Sequence, residues 1–291
     1  MAIVLITGCS SGLGSAAALA FGRHGDTVYA SMRDPGKGAE LIAAARRESL
    51  DVRIRTLDVS RSETFAPLVK QIVADAGRLD VLVNNAGVLR AGAWEDLSEA
   101  AVREVMETNF FGPMLLTRAV LPQMRAQRGG RVIMISSLSG IAGLPGDVAY
   151  TASKFALEGA TEALRHEVDR WNIKLALVEG GLYATRIFAA SLPDGRILPA
   201  DYPDPSPYRA LVESKLRETR DRLPEAFDPA LIGDLLVRIA GSDGAQLRWP
   251  ADDVAKRVLS TMFAQDDAAR DQFLRMVSGT EWWSNGAPGP T

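Results

Sequence analysis

The feature that most restricts the fold is a regular alternation. Short β-rich runs at Ile3–Thr7, Thr27–Met32, Val52–Leu57, Leu79–Val83, Arg131–Ser136 and Lys174–Val178 are separated by longer helical patterns, which begin near Leu13, Gly36, Ser62, Ser98, Gly112 and Tyr150. Strand and helix in steady succession imply repeated βαβ units and a parallel sheet covered on both faces. The expected fold is therefore α/β, a doubly wound parallel sheet. Further helices are expected near Ser206 and Ala251, and a last strand around Gln272–Val277.

With 291 residues, 47% hydrophobic and 24% charged, the chain suits one large domain over 1–291. Its pattern breaks between Arg186 and Pro250, where Pro193, Pro199, Pro203, Pro205, Pro207, Pro224 and Pro229 interrupt it. Lying after the sixth strand at the carboxyl edge of the sheet, residues 186–250 are expected to form a lid over a ligand crevice. The tail from Ser284 to Thr291 is expected to fray.

A net charge of -3 offers no general attraction for nucleic acid or an anionic membrane. No run of about 20 apolar residues is present to span a bilayer. Cys9 is the single cysteine, so there is no disulfide framework and no zinc-ligand spacing, and no metal is expected. A cytoplasmic protein is the expectation.

Directly after the first strand comes Thr7-Gly8-Cys9-Ser10-Ser11-Gly12-Leu13-Gly14. Gly8, Gly12 and Gly14 let backbone N–H groups approach a pyrophosphate, and the N-terminus of the following helix favours its charge. A tight strand-to-helix turn without a ligand would use the same residues. So would a serine nucleophile, because Gly8-Cys9-Ser10-Ser11-Gly12 matches G-x-S-x-G. That turn normally follows several strands, however, and the two histidines, His24 and His166, lie on helices away from where a base is needed.

Met32 and Arg33 stand where a dinucleotide fold chooses its cofactor. An acidic residue there would bind a ribose 2′-hydroxyl, whereas an arginine suits a 2′-phosphate. Arg33 thus points to NADP(H), unless Asp34 pairs with it.

Tyr150 lies thirteen residues after Ser137, and Lys154 lies one helical turn beyond Tyr150 on the same face. A phenol acting as acid or base near neutrality needs its pKa lowered by about 2 to 3 units from about 10. The positive charge of Lys154 is expected to favour the phenolate in that way. Asn109 falls within a helical pattern with Pro113 four residues on, and proline has no N–H to offer the carbonyl of residue 109. That carbonyl is free for a water.

Taken together, Thr7-Gly8-x-x-x-Gly12-x-Gly14, Asn84-Asn85-Ala86-Gly87, Asn109, Ser137 and Tyr150-Thr151-Ala152-Ser153-Lys154 resemble the short-chain dehydrogenase/reductase family over about residues 2–185. The GCSSG turn and Val178-Glu179-Gly180-Gly181 with Thr185 look like its 17β-hydroxysteroid and retinol dehydrogenase branch. The resemblance implies a Rossmann fold in which Tyr150 exchanges a proton with the substrate oxygen, Ser137 orients that oxygen and Lys154 also holds the nicotinamide ribose. It implies that Asn109 holds a relay water, that Asp58 and Val59 meet the adenine, and that Asn85, Ala86 and Gly87 shape the cofactor floor. Leu13 joins the glycines around the cofactor, Ser11 contacts a 2′-phosphate, and Thr185 binds the carboxamide. One departure stands out: the family often has Pro-Gly where this chain has Gly180-Gly181, which loosens the entrance to the lid.

The expected activity is NADP(H)-dependent interconversion of a carbonyl and an alcohol by hydride transfer. A noncatalytic NADP-binding regulator is the alternative from another class. Tyr183, Phe188, Tyr202, Tyr208 and Phe227 in the lid suit an apolar substrate, and the resemblance implies a homo-oligomer.

Overall fold

A computed structural model describes residues 1–187, 197–199, 202–264, 267–277, 279 and 281–284. Phe188, most of the segment 192–201 and the tail from 285 lie outside the described residues. The strands are β1 (Ile3–Thr7), β2 (Thr27–Met32), β3 (Val52–Thr56), β4 (Val81–Asn84), β5 (Gly130–Ile135), β6 (Ile173–Glu179) and β7 (Arg248–Pro250). All pair in parallel in the order β3-β2-β1-β4-β5-β6-β7. The chain winds outward from β1 in both directions, so the crossovers joining β1, β2 and β3 fall on one face and those from β3 through β6 on the other. A crevice opens where the order reverses, at the carboxyl ends of β1 and β4.

The helices are α1 (Gly12–Arg23), α2 (Ala39–Arg47), α3 (Phe65–Ala76), α4 (Glu99–Met106), α5 (Gly112–Gln127), α6 (Val148–Val168), α7 (Arg209–Asp221), α8 (Pro229–Ala240), α9 (Asp253–Ala264) and α10 (Asp267–Val277). Successive strand residues point to opposite faces, and two cores follow. On one face Leu5, Leu82 and Met134 meet Phe65 and Ile72 of α3 and Leu116 of α5. On the other, Val4, Ile6 and Ile133 meet Phe21 of α1 with Leu236 and Ile239 of α8. Among the described residues no helix is long and apolar enough to cross a membrane.

Three elements differ from the sequence expectation. The segment Gln272–Val277, expected as a strand, is the end of helix α10. Phe273 packs beside Ile141, Val258 and Met262, the last two on the preceding helix, so the segment is held by helix–helix packing and pairs with no strand of the sheet. Helix α8 was hidden by Pro229, which reads as a breaker but occupies the first turn, where no N–H partner is lost. Asp228 caps it by accepting from Ala230 N at 2.8 Å. Strand β7 is only three residues long and ends in Pro250 at the sheet edge, where a missing donor is tolerated.

The stretch 186–250 is therefore not one piece. Its later part builds the body of the fold, because α8 packs on α1 so closely that a Cβ on Gly233 would lie 2.9 Å from Ala16 O. Its earlier part, through α7, stands beside the crevice.

Candidate active site

A cleft of 1110 Å³ runs along the carboxyl ends of the central strands. Gly8, Ser11, Gly12 and Leu13 line it, as do Ser137, Tyr150, Lys154 and Thr185, and Thr185 lies against the glycine turn, 3.2 Å from where a Cβ on Gly12 would stand. Gly8 has φ +73°, and a Cβ there would lie 2.9 Å from Ala86 Cα. Gly14 does not face the cleft. A Cβ on it would come to 2.4 Å from Gly8 O, so its absence lets α1 start directly against the turn.

Helix α1 begins with Ser11 in an extended conformation and without a side-chain cap. Its first N–H groups have no intrahelical partners by construction, and they face the cleft. This turn fits an anionic pyrophosphate by geometry and by charge. Replacing Gly14 by Ala is expected to destabilise the chain by about 1 to 3 kcal/mol, because the clash is with backbone and cannot be relieved by a rotamer. A lower urea midpoint at constant m-value would register it, and an unchanged midpoint would mean that the turn can shift.

Arg33 is exposed at the end of β2 and lines the same end of the cleft as Ser11 and Asp58. Asp34 does not claim it, since its Oδ1 accepts from Gly36 N at 2.9 Å. Burial would raise the Asp58 carboxyl, but the Ser60 N–H and hydroxyl, with Arg33 nearby, hold it below the usual range. Met32 is buried and offers no acceptor.

Thr7, a residue that the sequence analysis used only as a motif position, ties the two halves of the floor together. Its Oγ1 accepts from the N–H groups of Asn85 and Ala86, each at 3.0 Å. The Asn85 amide returns the tie by donating to Thr7 O at 2.8 Å. Asn85, Ala86, Gly87 and Val59 all line the cleft.

On α6, Tyr150 keeps part of its ring open to the cleft, while Lys154 is buried beside it with Nζ 5.6 Å from the ring centroid. Lys154 donates to Ile135 O at 2.7 Å. Protein surrounding the phenol pushes the Tyr150 pKa up to about 12; the Ser137 hydroxyl opposes that shift and the negative Asp147 adds to it. The expectation that Lys154 lowers the phenol is thus not met in the protein alone. Burial dominates, and Lys154 is itself brought down to about 8 by desolvation, against the pull of Glu158.

Asn109 lies behind the cleft, fully buried. The backbone forms a π-turn at Glu107–Phe111, in which Gly112 N reaches back to Glu107 O, and Pro113 accounts for it by withholding an N–H. The Asn109 side chain accepts from Val88 N at 2.9 Å and donates to Val88 O at 2.9 Å and Ser153 Oγ at 3.1 Å. Ser153 in turn donates to Tyr150 O at 2.7 Å. Asn109 is thereby joined to the helix that carries Tyr150.

Tyr183 and Phe227 line the cleft and pack on each other, with ring centroids 5.6 Å apart. Tyr202 and Tyr208 do not line it. Their hydroxyls donate to the carboxylates of Asp96 and Glu95, fastening the chain before α7 to the loop before α4. Gly180 and Gly181 are held, not loose: Gly180 O accepts from Leu138 N at 3.2 Å, and Gly181 N donates to Asp252 at 2.9 Å. Neither histidine lines the cleft, which leaves Ser10 without a histidine base there.

The family described as short chain dehydrogenase matches residues 2–195, which carry the glycine turn, Asn109, Ser137, Tyr150 and Lys154. The chain belongs to the short-chain dehydrogenase family. It is 37% identical over 254 residues to retinol dehydrogenase 8 of Bos taurus, covering 84% of this chain and 80% of that protein. It is 35% identical over 255 residues to 17-beta-hydroxysteroid dehydrogenase type 1 of Mus musculus, covering 85% and 72%. Among solved structures, a short-chain dehydrogenase from Streptomyces avermitilis superposes with TM-score 0.77 at 33% identity, covering 98% of this chain and 97% of the other. A metagenomic short-chain oxidoreductase in complex with NADP matches with TM-score 0.67 at 26% identity, covering 86% and 95%. Like other members of the family, this short-chain dehydrogenase presents a nicotinamide-cofactor fold and a cleft for a small molecule.

Proposed function

We propose that this short-chain dehydrogenase interconverts a carbonyl and an alcohol on an apolar small molecule with NADP(H). The observation that carries the reading is the convergence of Ser137, Tyr150 and Lys154 on the cleft that begins at the glycine turn. The bound nicotinamide would supply or accept the hydride, and the chain's own groups manage the substrate oxygen and its proton.

Ser137 and Tyr150 offer two hydroxyls to one oxygen, which orients it and favours negative charge developing there. A phenol held above its ordinary pKa keeps its proton at neutral pH, so Tyr150 is ready to donate to a carbonyl as it is reduced. The reverse reaction needs the phenolate. Alcohol oxidation is therefore expected to accelerate as pH rises from 6 to 10, while carbonyl reduction does not accelerate. Parallel pH profiles in the two directions check this, and an oxidation rate that falls with pH would remove Tyr150 as the base.

NADP(H) is preferred to NAD(H) in this reading because Arg33 stands unclaimed by Asp34 beside Ser11, and because a structural neighbour was solved with NADP. Leu138, Leu144, Leu182, Ile187 and Val254 also line the cleft, and they support an apolar substrate. The segment through α7, fastened by Tyr202 and Tyr208, would cover it.

The deciding experiment follows nicotinamide absorbance while a panel of apolar ketones, aldehydes and alcohols is offered with each cofactor. Turnover of at least one carbonyl with NADPH supports the reading. Tight NADPH binding without turnover of any compound would point instead to a nucleotide-binding regulator.

A further inference from the structure

Behind the candidate proton-transfer groups lies a buried ionic cluster that the reading above does not use. Glu158 follows Lys154 by one turn of α6, and both side chains are buried. Glu158 Oε2 accepts from Arg248 Nε of β7 at 3.0 Å, and Arg248 also donates to Glu162 at 2.7 Å. Glu179, the last residue of β6, is fully buried, with Oε1 3.9 Å from the same Arg248 Nε.

Both Glu179 oxygens and Glu158 Oε1 lack hydrogen-bond partners. Burial raises the Glu158 carboxyl above its ordinary value, against the pull of the Ser136 hydroxyl, which favours its charge without meeting hydrogen-bond geometry, and of Arg248 and Lys154. The cluster also packs against the turn that follows Ser137: a Cβ on Gly140 would lie 3.0 Å from Glu158 Cγ.

Resting on the Tyr150 and Lys154 reading, we propose that Glu158 is a positioning residue, an anion that Arg248 holds behind Lys154 to keep it charged, with Glu179 as a second carboxyl competing for the same arginine. One arginine cannot comfortably stabilise two ionised carboxylates in so dry a place. Burial and the nearby Glu158 push Glu179 up to about 8, so near neutrality it holds its proton and Glu158 has the stronger claim on Arg248.

The groups facing Glu158 are Lys154 and Glu162 from α6, Glu179 from β6 and Arg248 from β7. Phe263 of α9 covers the Arg248 guanidinium, while Asp253 and Lys256 of that helix pair with each other at 2.9 Å on the surface. At the other end of α6, Asp147 is engaged by Lys215 at 2.6 Å. The positive charge on Lys154 thus has Glu158 as its supporting anion, and removing that anion shifts Lys154 toward the neutral amine.

The test is the pH profile of kcat/KM for carbonyl reduction, whose alkaline limb near 8 is assigned to Lys154 because Tyr150 lies far above it. Glu158→Gln is expected to move that limb down by about one pH unit, the low end of what an opposite charge exerts, giving about a fivefold loss at pH 8 that approaches tenfold above pH 9. Glu179→Gln, which removes the competing carboxyl, is expected to leave the limb in place or move it up. A packing role would instead move both variants alike.

The inference is overturned if Glu158→Gln leaves the limb unmoved or if Glu179→Gln lowers it too. Should Glu158→Gln fail to fold, Arg248→Met carries the same test, because it leaves Glu158 buried without its cation and hence neutral; the limb must fall there as well. Tyr150→Phe separates the two levels. If that variant keeps near wild-type turnover, the reading of the site fails, whereas a Tyr150-dependent enzyme with an unmoved limb fails this inference alone.

Discussion

Replacing Tyr150 by Phe is expected to lower carbonyl turnover by about 10² to 10⁴, the usual loss when a general acid is removed. The ring stays and only the phenolic O–H is lost, so packing on α6 should be conserved. Cofactor affinity should fall little, because the glycine turn, Arg33 and the Thr7–Asn85 tie stand on other elements. Steady-state rates with a good substrate, paired with a fluorescence titration of NADPH, check both halves. Near wild-type kcat in the variant would mean that another group donates the proton. Loss of binding together with loss of rate would mean that the ring is a structural part of the cofactor site.

The second large effect is expected at Arg33. A charge-assisted contact to a 2′-phosphate contributes roughly 1.5 to 3 kcal/mol, and every 1.4 kcal/mol is a factor of ten. Because Arg33 is exposed, screening by solvent and salt places the preference nearer the low end, about tenfold, and raising the salt should reduce it further. Arg33→Ala should erase most of that preference by weakening NADPH binding while leaving NADH binding nearly constant. Direct titration with both nucleotides tests it, and equal wild-type affinities for NADH and NADPH would sink the Arg33 argument without touching Tyr150.

Much of the fold was legible because parallel α/β sheets write themselves into sequence. Each strand is a short apolar run and each crossover is long enough to carry helical periodicity, so β1 to β6 fall within a residue or two of expectation. The errors came where one signal had two physical meanings. Pro229 reads as a break, yet a proline opens a helix as readily as it ends one. Phe273 and Val277 fit a short apolar run in sequence, but the partners Phe273 meets, Ile141 and Met262 among them, come from other segments.

The site divides along the same line. Residue identity and local spacing were enough to single out Gly8, Gly12, Tyr150 and Lys154, since a glycine turn and a Tyr–Lys pair one helical turn apart state their geometry within a few positions; Ser137 was chosen among its neighbouring serines by the family resemblance. That the carbonyl of Asn109 has no N–H four residues on was legible for a similar reason, because proline lacks one wherever it stands, but the π-turn that accompanies it was not.

What the chain could not state locally was environment. The sequence expectation had Lys154 lowering the phenol, but burial lifts Tyr150 and depresses Lys154, and desolvation depends on atoms contributed by β5, β6 and the turn after Ser137. Tyr202 and Tyr208 look like cleft aromatics in a proline-rich lid, yet their hydroxyls reach Asp96 and Glu95, more than a hundred positions away. The meeting of Glu158, Glu179 and Arg248 is likewise invisible in one dimension, for it exists only because β7 pairs beside β6 under α6. By itself the sequence determined the order of the elements and the chemical groups at their ends, since these follow from backbone periodicity and residue type. Only the tertiary structure decided which of those groups lose water and which charges meet, since both are set by neighbours brought together from far along the chain.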